Sequence, residues 1–328
     1  MSEPQIVTVT GTIPASELGP TLAHEHLYSD FAVFSGKPDN RFTVASEVIE
    51  ELAWFRQVGG QSIVEVTPEG TGRDPERLRE ISRSSGVQVI SGIAFYDEST
   101  YPTWVREASV EQITDYFVFH LEEGHAGVRA GVIGELTSHN EPTPNASGYR
   151  LSELEQRVFE AAAVAQRKTG SCITTHAALG RAGHAQLDVL ERTGADLSKV
   201  IIGHCDAHWH DDPELDYAYY LPILERGACC QFDLVGWTEL APDDVRADRV
   251  MALIDMGYVR QLTLSTDTCR LSHLRCRGGR GYDFLWTSFL PRLRSRGISD
   301  LQINCMLVDT PQRMFSRRGV SFAPTATD

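Results

Sequence analysis

Eight short apolar runs, each followed by a longer helical pattern, constrain this chain more than any other feature. The runs are Thr21–Leu27, Ser62–Thr67, Val87–Phe95, Ala130–Thr137, Cys172–Ala177, Val200–Cys205, Ala228–Leu234 and Leu262–Thr266. They show little polar alternation, as expected of parallel strands covered on both faces. The segments between them carry helix signals. Asp74-Pro75 reads as an N-cap with proline at the first helical position. Ser109-x-x-Gln112 and Ser152-x-x-Glu155 have capping-box spacing. From Ser152, the residues Leu154, Val158, Ala161, Ala162 and Ala165 fall on one helical face. Glycines such as Gly59-Gly60, Gly86, Gly124 and Gly170 sit where helices should stop.

An eightfold β/α alternation predicts a closed (β/α)8 barrel of the α/β class. An open doubly wound sheet would call for a glycine fingerprint after the first strand, where Tyr28-Ser29-Asp30 stands instead. One domain is expected over residues 1–328. Residues 1–20 form an N-terminal extension, in which Ile6–Thr12 alternates like a strand covering the barrel floor, and 316–328 form a tail ending in a frayed SFAPTATD. The Asn140–Gly148 stretch reads as a loop, and its Asn145-Ala146-Ser147 sequon carries little weight without a secretion signal. Hydrophobic residues make up 41% of the chain, enough for a sizeable core. Lys+Arg number 30 against 45 Asp+Glu, a formal charge of −15 that argues against nucleic-acid partners. No apolar run is long enough to span a membrane. The N-terminus lacks a signal-peptide pattern, and the cysteines, odd in number, include no C-x-x-C pair. A cytoplasmic location with reduced thiols is the expectation.

In such a barrel the C-terminal strand ends form the active-site face. His24 and His26 lie two apart on the first strand and project to the same side. Glu135, His176, His204 and Asp267 stand at the ends of strands four, five, six and eight. Any one of these could be a hydrogen-bonded structural residue, and His-x-His alone occurs often by chance. Four imidazoles and two carboxylates buried together without a cation would be costly. The donor set suits zinc, manganese, cobalt or iron, with zinc favoured.

LGPTLAHEHL (18–27), GVIGEL (131–136), ITTHAA (173–178), IIGHCD (201–206) and LTLSTD (262–267) resemble the metal-site blocks of the phosphotriesterase-like family of the amidohydrolase superfamily. TGRD (71–74), GGRGYDFL (278–285), FLPRLRSRG (289–297) and LVDTPQRMF (307–315) match it as well. The resemblance implies a binuclear metal hydrolase, with His24, His26 and Asp267 on the more buried ion and His176 and His204 on the more exposed one. Phosphotriesterases proper bridge their ions with a carbamylated lysine after strand four. Glu135 holds that place here, and Lys37, Lys168 and Lys199 fall in loops or helices. A bridging glutamate is similar to the phosphotriesterase homology proteins, whose mammalian relatives include an amidase acting on an acylated amino-sulfonate.

The mechanism so implied is attack by a hydroxide shared between two divalent ions, with Asp267 as proton shuttle. Tyr96, Trp237 and Arg270 are the expected substrate-binding residues for a small molecule. Arg270 belongs to an arginine-rich segment with Arg275, Arg277 and Arg280, which either bind an anionic substrate group or pair with local acids. His208 and His210 are expected in solvent, and Arg73 in a structural ion pair. Cys229, Cys230 and Cys269 read as core residues rather than nucleophiles. The leading expectation is hydrolysis of a small carboxylic ester, a lactone above all, with N-acyl amide hydrolysis as runner-up. Phosphotriester hydrolysis and a catalytically silent binding barrel rank lower. A homodimer is a family expectation only.

Overall fold

In the computed structural model, which describes residues 3–139, 141–142, 149–177 and 181–317, all eight apolar runs become parallel strands. They are β1 (Thr21–Glu25), β2 (Ser62–Glu65), β3 (Gln88–Ile93), β4 (Val132–Ser138), β5 (Cys172–Ala177), β6 (Val200–Ile202), β7 (Cys229–Phe232) and β8 (Leu262–Leu264). Each pairs with its sequence neighbour, in the order β1 to β8. Helices Ala45–Gln57, Pro75–Ser85, Val110–Glu122, Glu153–Thr169, Gly183–Arg192, Pro213–Glu225 and Asp243–Asp255 lie between successive strands. The expected start signals operate. Asp74 accepts from the Arg77 amide at 2.9 Å, and both Ser109 and Ser152 form complete capping boxes. Val158, Ala161, Ala162 and Ala165 are buried, as the helical spacing requires. Among the described residues, no helix is long and apolar enough to cross a membrane.

The barrel interior is filled rather than hollow. Ala23, Val64, Ile90, Val132, Cys172, Ile201 and Cys229, one from each of β1 to β7, form a single buried cluster. Ile6, Leu18, Met314 and Phe315 close it from below. The floor strand expected over Ile6–Thr12 is instead a hairpin, Gln5–Thr8 paired with Gly11–Pro14. Gly11, at φ 136°, occupies a left-handed backbone that a side chain resists. The stems Glu141–Pro142 and Tyr149–Arg150 of the expected loop pair as a second small ribbon. The sequon and the SFAPTATD tail lie outside the described residues.

All the strands but β5, which matches its run, are shorter than the sequence runs, and several of the lost residues are informative. At the C-terminal ends the backbone leaves the ladder to bond side chains. The amides of Asp233 and Leu234 turn to the Asp206 carboxylate. The Thr266 amide turns to Glu25 Oε1 at 2.7 Å. His204 and Asp267 adopt left-handed backbone, φ 52° and 45°. Such conformations cost a non-glycine residue about 1–3 kcal/mol and persist where the surroundings over-determine them.

Between β8 and β1 no ladder forms among the described residues, and side chains take over the joint. The His24 amide donates to Ser265 Oγ at 3.0 Å. The fully buried Glu25 carboxylate accepts from Ser265 Oγ, Thr266 N, Thr266 Oγ1 and Thr268 N, at 2.7–2.8 Å. Glu25 lies between His24 and His26, so the alternation that sends both imidazoles one way sends this carboxylate the other.

Candidate metal centre

The six residues picked from the sequence meet at the C-terminal rim of the barrel. Glu135 stands at their centre, 1% exposed. Its Oε2 lies 3.2 Å from His24 Nε2 and 3.1 Å from His176 Nδ1. Its Oε1 lies 3.7 Å from His26 Nε2, which is 3.4 Å from Asp267 Oδ1. His204 Nε2 and His176 Nδ1 face each other at 2.7 Å. Two triads divide the six residues, His24–His26–Asp267 and Glu135–His176–His204, each with ligand atoms close enough to surround one ion, and His24 and His204 form a third such group with Asp233.

Residues behind the rings decide which nitrogen faces inward. Gln231 donates its amide Nε2–H to the Ala23 carbonyl at 3.1 Å, which leaves Oε1 toward His24 Nδ1 at 3.2 Å. Asp233 Oδ1 lies 2.9 Å from His204 Nδ1, and its Oδ2 lies 3.3 Å from His24 Nδ1. An ionised carboxylate only accepts, so both rings carry a proton on Nδ1 and turn Nε2 into the site. His26 Nδ1 lies 2.8 Å from Thr67 Oγ1, and Thr67 in turn donates to Glu65.

Without a cation, the imidazoles offset the buried carboxylates by holding protons. Burial opposes charge on His24, yet Asp233 and Glu135 outweigh it and lift the imidazole to about 10. Burial likewise opposes charge on His204, and Asp233 raises it to about 9. Burial disfavours the Glu135 carboxylate, but His176 and His24 hold it well below its usual range. Asp267 is lowered too, with burial opposed by His26, His24 and His204. Among the described residues, and apart from the ion-pair contacts to Glu135, His24 Nε2, Glu135 Oε2 and His176 Nε2 are buried without a hydrogen-bond partner. Orphaned lone pairs amid carboxylates and imidazoles fit divalent cations bound through nitrogen and oxygen. No lysine lies in the cluster: Lys168 is within the helix Glu153–Thr169, and the Lys199 ammonium donates to the carbonyls of Arg313, Met314 and Ser316.

Above the cluster opens a cavity of about 300 Å³. All three substrate residues expected from the sequence line it. Tyr96 packs on His176 with ring centroids 5.1 Å apart. Trp237 is buried, its indole N–H donating to the Thr266 carbonyl at 2.9 Å. The Arg270 guanidinium lies 4.3 Å over the Trp237 ring, with Glu239, its acidic neighbour, 4.0 Å away. The other arginines of that segment have local partners. Arg275 pairs with Asp283 at 2.8 Å, Arg277 with Glu47 at 2.6 Å, and Arg280 donates to the Thr266 carbonyl. Arg73 pairs with Glu69 at 3.0 Å, as expected. His210 is not free in solvent, since it bonds Asp216 at 2.7 Å. Cys269 lines the cavity rather than the core, and burial pushes its thiol well up, away from a thiolate.

Asp233, Gln231, Thr67 and Glu65 were not singled out from the sequence, nor were the cavity residues Phe31, Phe34 and His139. Asp233 and Glu65 carried a usable signal, a carboxylate at the end of a barrel strand. The others read as ordinary strand or loop residues.

The sequence profile of the Phosphotriesterase family matches residues 4–315. The phosphotriesterase homology protein of Escherichia coli K12 is 34% identical over 300 residues, covering 90% of this chain and 98% of that protein. The N-acetyltaurine hydrolase of Pongo abelii is 30% identical over 355 residues, covering 94% and 97%. The crystal structure of the E. coli homology protein with phosphate in its active site superposes with a TM-score of 0.83 at 32% identity, covering 91% of this chain and 99% of that one. The chain belongs to the phosphotriesterase family and is a hydrolase.

Proposed function

We propose that the chain cleaves the acyl bond of a small carboxylic substrate carrying an anionic group, an N-acyl amide ahead of a lactone. His24, His26 and Asp267 would hold one divalent cation, His176 and His204 a second, and Glu135 would reach both, with zinc the first choice for this donor set. When bound, the cations polarise the acyl oxygen and bring the acidity of a water into the neutral range. Asp267 is ionised and faces the same space, so its carboxylate takes the proton released from the nucleophile. It can then return that proton to the departing amine, a step that amides need more than lactones. Phe31, Leu234 and Trp237 offer the acyl chain an apolar wall.

The observation that carries this reading is Arg270. It lines the cavity, is braced on Trp237, and among the described residues has no acid closer than 4.0 Å. A guanidinium so placed suits a carboxylate or sulfonate on the substrate. This moves the amide ahead of the lactone, since simple lactones carry no such charge. The relative named as an N-acetyltaurine hydrolase supports the same class.

The test compares N-acyl amino acids and N-acyl amino-sulfonates with neutral amides and lactones on metal-replete protein. Arg270→Ala should raise KM for the anionic substrates by about 10–100-fold, the worth of a charge-assisted hydrogen bond, and leave neutral substrates untouched. An unchanged KM would remove Arg270 from the substrate site. Faster turnover of neutral lactones than of any anionic amide by the parent protein would restore the lactone to first place.

A further inference from the structure

The pair Thr67 and Glu65 lies outside the six residues assigned to the cations, and it controls one of them through the single proton of a hydroxyl. Both side chains are fully buried. Thr67 Oγ1 sits between His26 Nδ1, at 2.8 Å, and Glu65 Oε1. Glu65 Oε1 also accepts the Leu27 amide at 3.4 Å, while Oε2 has no hydrogen-bond partner among the described residues. A threonine hydroxyl donates once. If it donates to Glu65 Oε1, it must accept from His26, which then carries its proton on Nδ1 and turns the Nε2 lone pair toward Glu135 and Asp267. If it donates to His26, the ring is protonated on Nε2, and an N–H points where a cation would sit. The two tautomers of His26 are therefore the two orientations of one O–H bond.

We infer that Glu65, acting through Thr67, is the positioning residue that holds His26 in the cation-binding tautomer. Thr67 orients the ring and Glu65 orients Thr67. Neither touches substrate. His24 and His204 are set by direct acceptors, Gln231 and Asp233, whereas His26 alone among these three relies on a relay of two side chains. The inference rests on the reading of His26 as a cation ligand, and it makes the His24–His26–Asp267 triad selectively dependent on β2, the strand that supplies Glu65.

The experiment measures zinc stoichiometry and affinity by chelator competition on the full chain, beside thermal melts of metal-free protein. Thr67→Val replaces the hydroxyl with a methyl of similar size. It should weaken one of two ions by about 10–100-fold, as loss of a ligand's hydrogen-bonding partner does, and leave the other at parent affinity. Thr67→Ser, which restores the hydroxyl, should recover both. Thr67→Ala serves the same purpose if the valine variant does not fold. Parent-like affinity for both ions in folded Thr67→Val or Thr67→Ala would overturn the relay. A parent protein that binds no zinc would instead overturn the metal reading of the whole site, so the two failures are distinguishable.

Discussion

Asp267 gathers three constraints in one residue. Its backbone is left-handed, its carboxylate faces His26 at 3.4 Å, and the neighbouring imidazoles keep it ionised against the effect of burial. A carboxylate held this way accepts a proton only when the surrounding charge changes, as it does when water is converted to a nucleophile. Asp267→Asn keeps the shape and removes the base. It should lower kcat by at least about 100-fold while the Glu135–His176–His204 triad still takes up an ion. Steady-state kinetics with metal counting on the same sample checks this, and a parent-like kcat would remove the residue from the proton path. At this scale the sequence was informative wherever chemistry-bearing side chains fell at strand ends. It was silent on Gln231 and Thr67, whose roles come from a neighbour in space, Ala23 or His26, that no local spacing announces.

Among the elements, β1 does two jobs with three consecutive residues. His24 and His26 enter the metal centre, while Glu25 gathers four donors around β8. Replacing Glu25 with alanine orphans two buried amides and two hydroxyls at once. The expected cost is about 3 kcal/mol or more, since each unmet buried group costs about 1–3 kcal/mol. A denaturant or thermal melt of metal-free protein reads it directly, and a loss within the error of the melt would mean that the joint is held by something else. The strands themselves were legible because fully covered parallel strands are written as continuous apolar runs. Their last residues were not. At β6, β7 and β8 the ladder ends before the run does, and acceptors supplied by Asp233, Asp206 and Glu25 take the amides of His204, Asp233 and Thr266. The hairpin at Gln5–Pro14 was misread as one strand because Val9, Thr10 and Gly11 continue the alternation through the turn.

For the whole molecule, pH and cation binding are linked. In the metal-free protein His24 and His204 hold protons up to about 10 and 9. A cation that takes their nitrogens must displace those protons, so affinity rises with pH below about 9 and binding acidifies the medium. Calorimetric titrations of zinc in buffers of different ionisation enthalpy should show proton release near neutral pH. Buffer-independent heats would mean that the two imidazoles are already neutral. The barrel class was legible because eight alternations exceed what a smaller fold can absorb. The binding chemistry of the mouth was legible only in part, because Phe31, Phe34 and His139 reach the cavity through loops whose course depends on the finished barrel.

The joint between β8 and β1 also sets an order of events. Glu25 and the donors it gathers are separated by some 240 positions along the chain, so a nascent polypeptide displays this carboxylate long before anything can engage it. His24 and His26 wait equally long for Asp267. The ion assigned to those three would thus find its ligands complete later in synthesis than the one assigned to His176 and His204, and its uptake would report that the ring has shut.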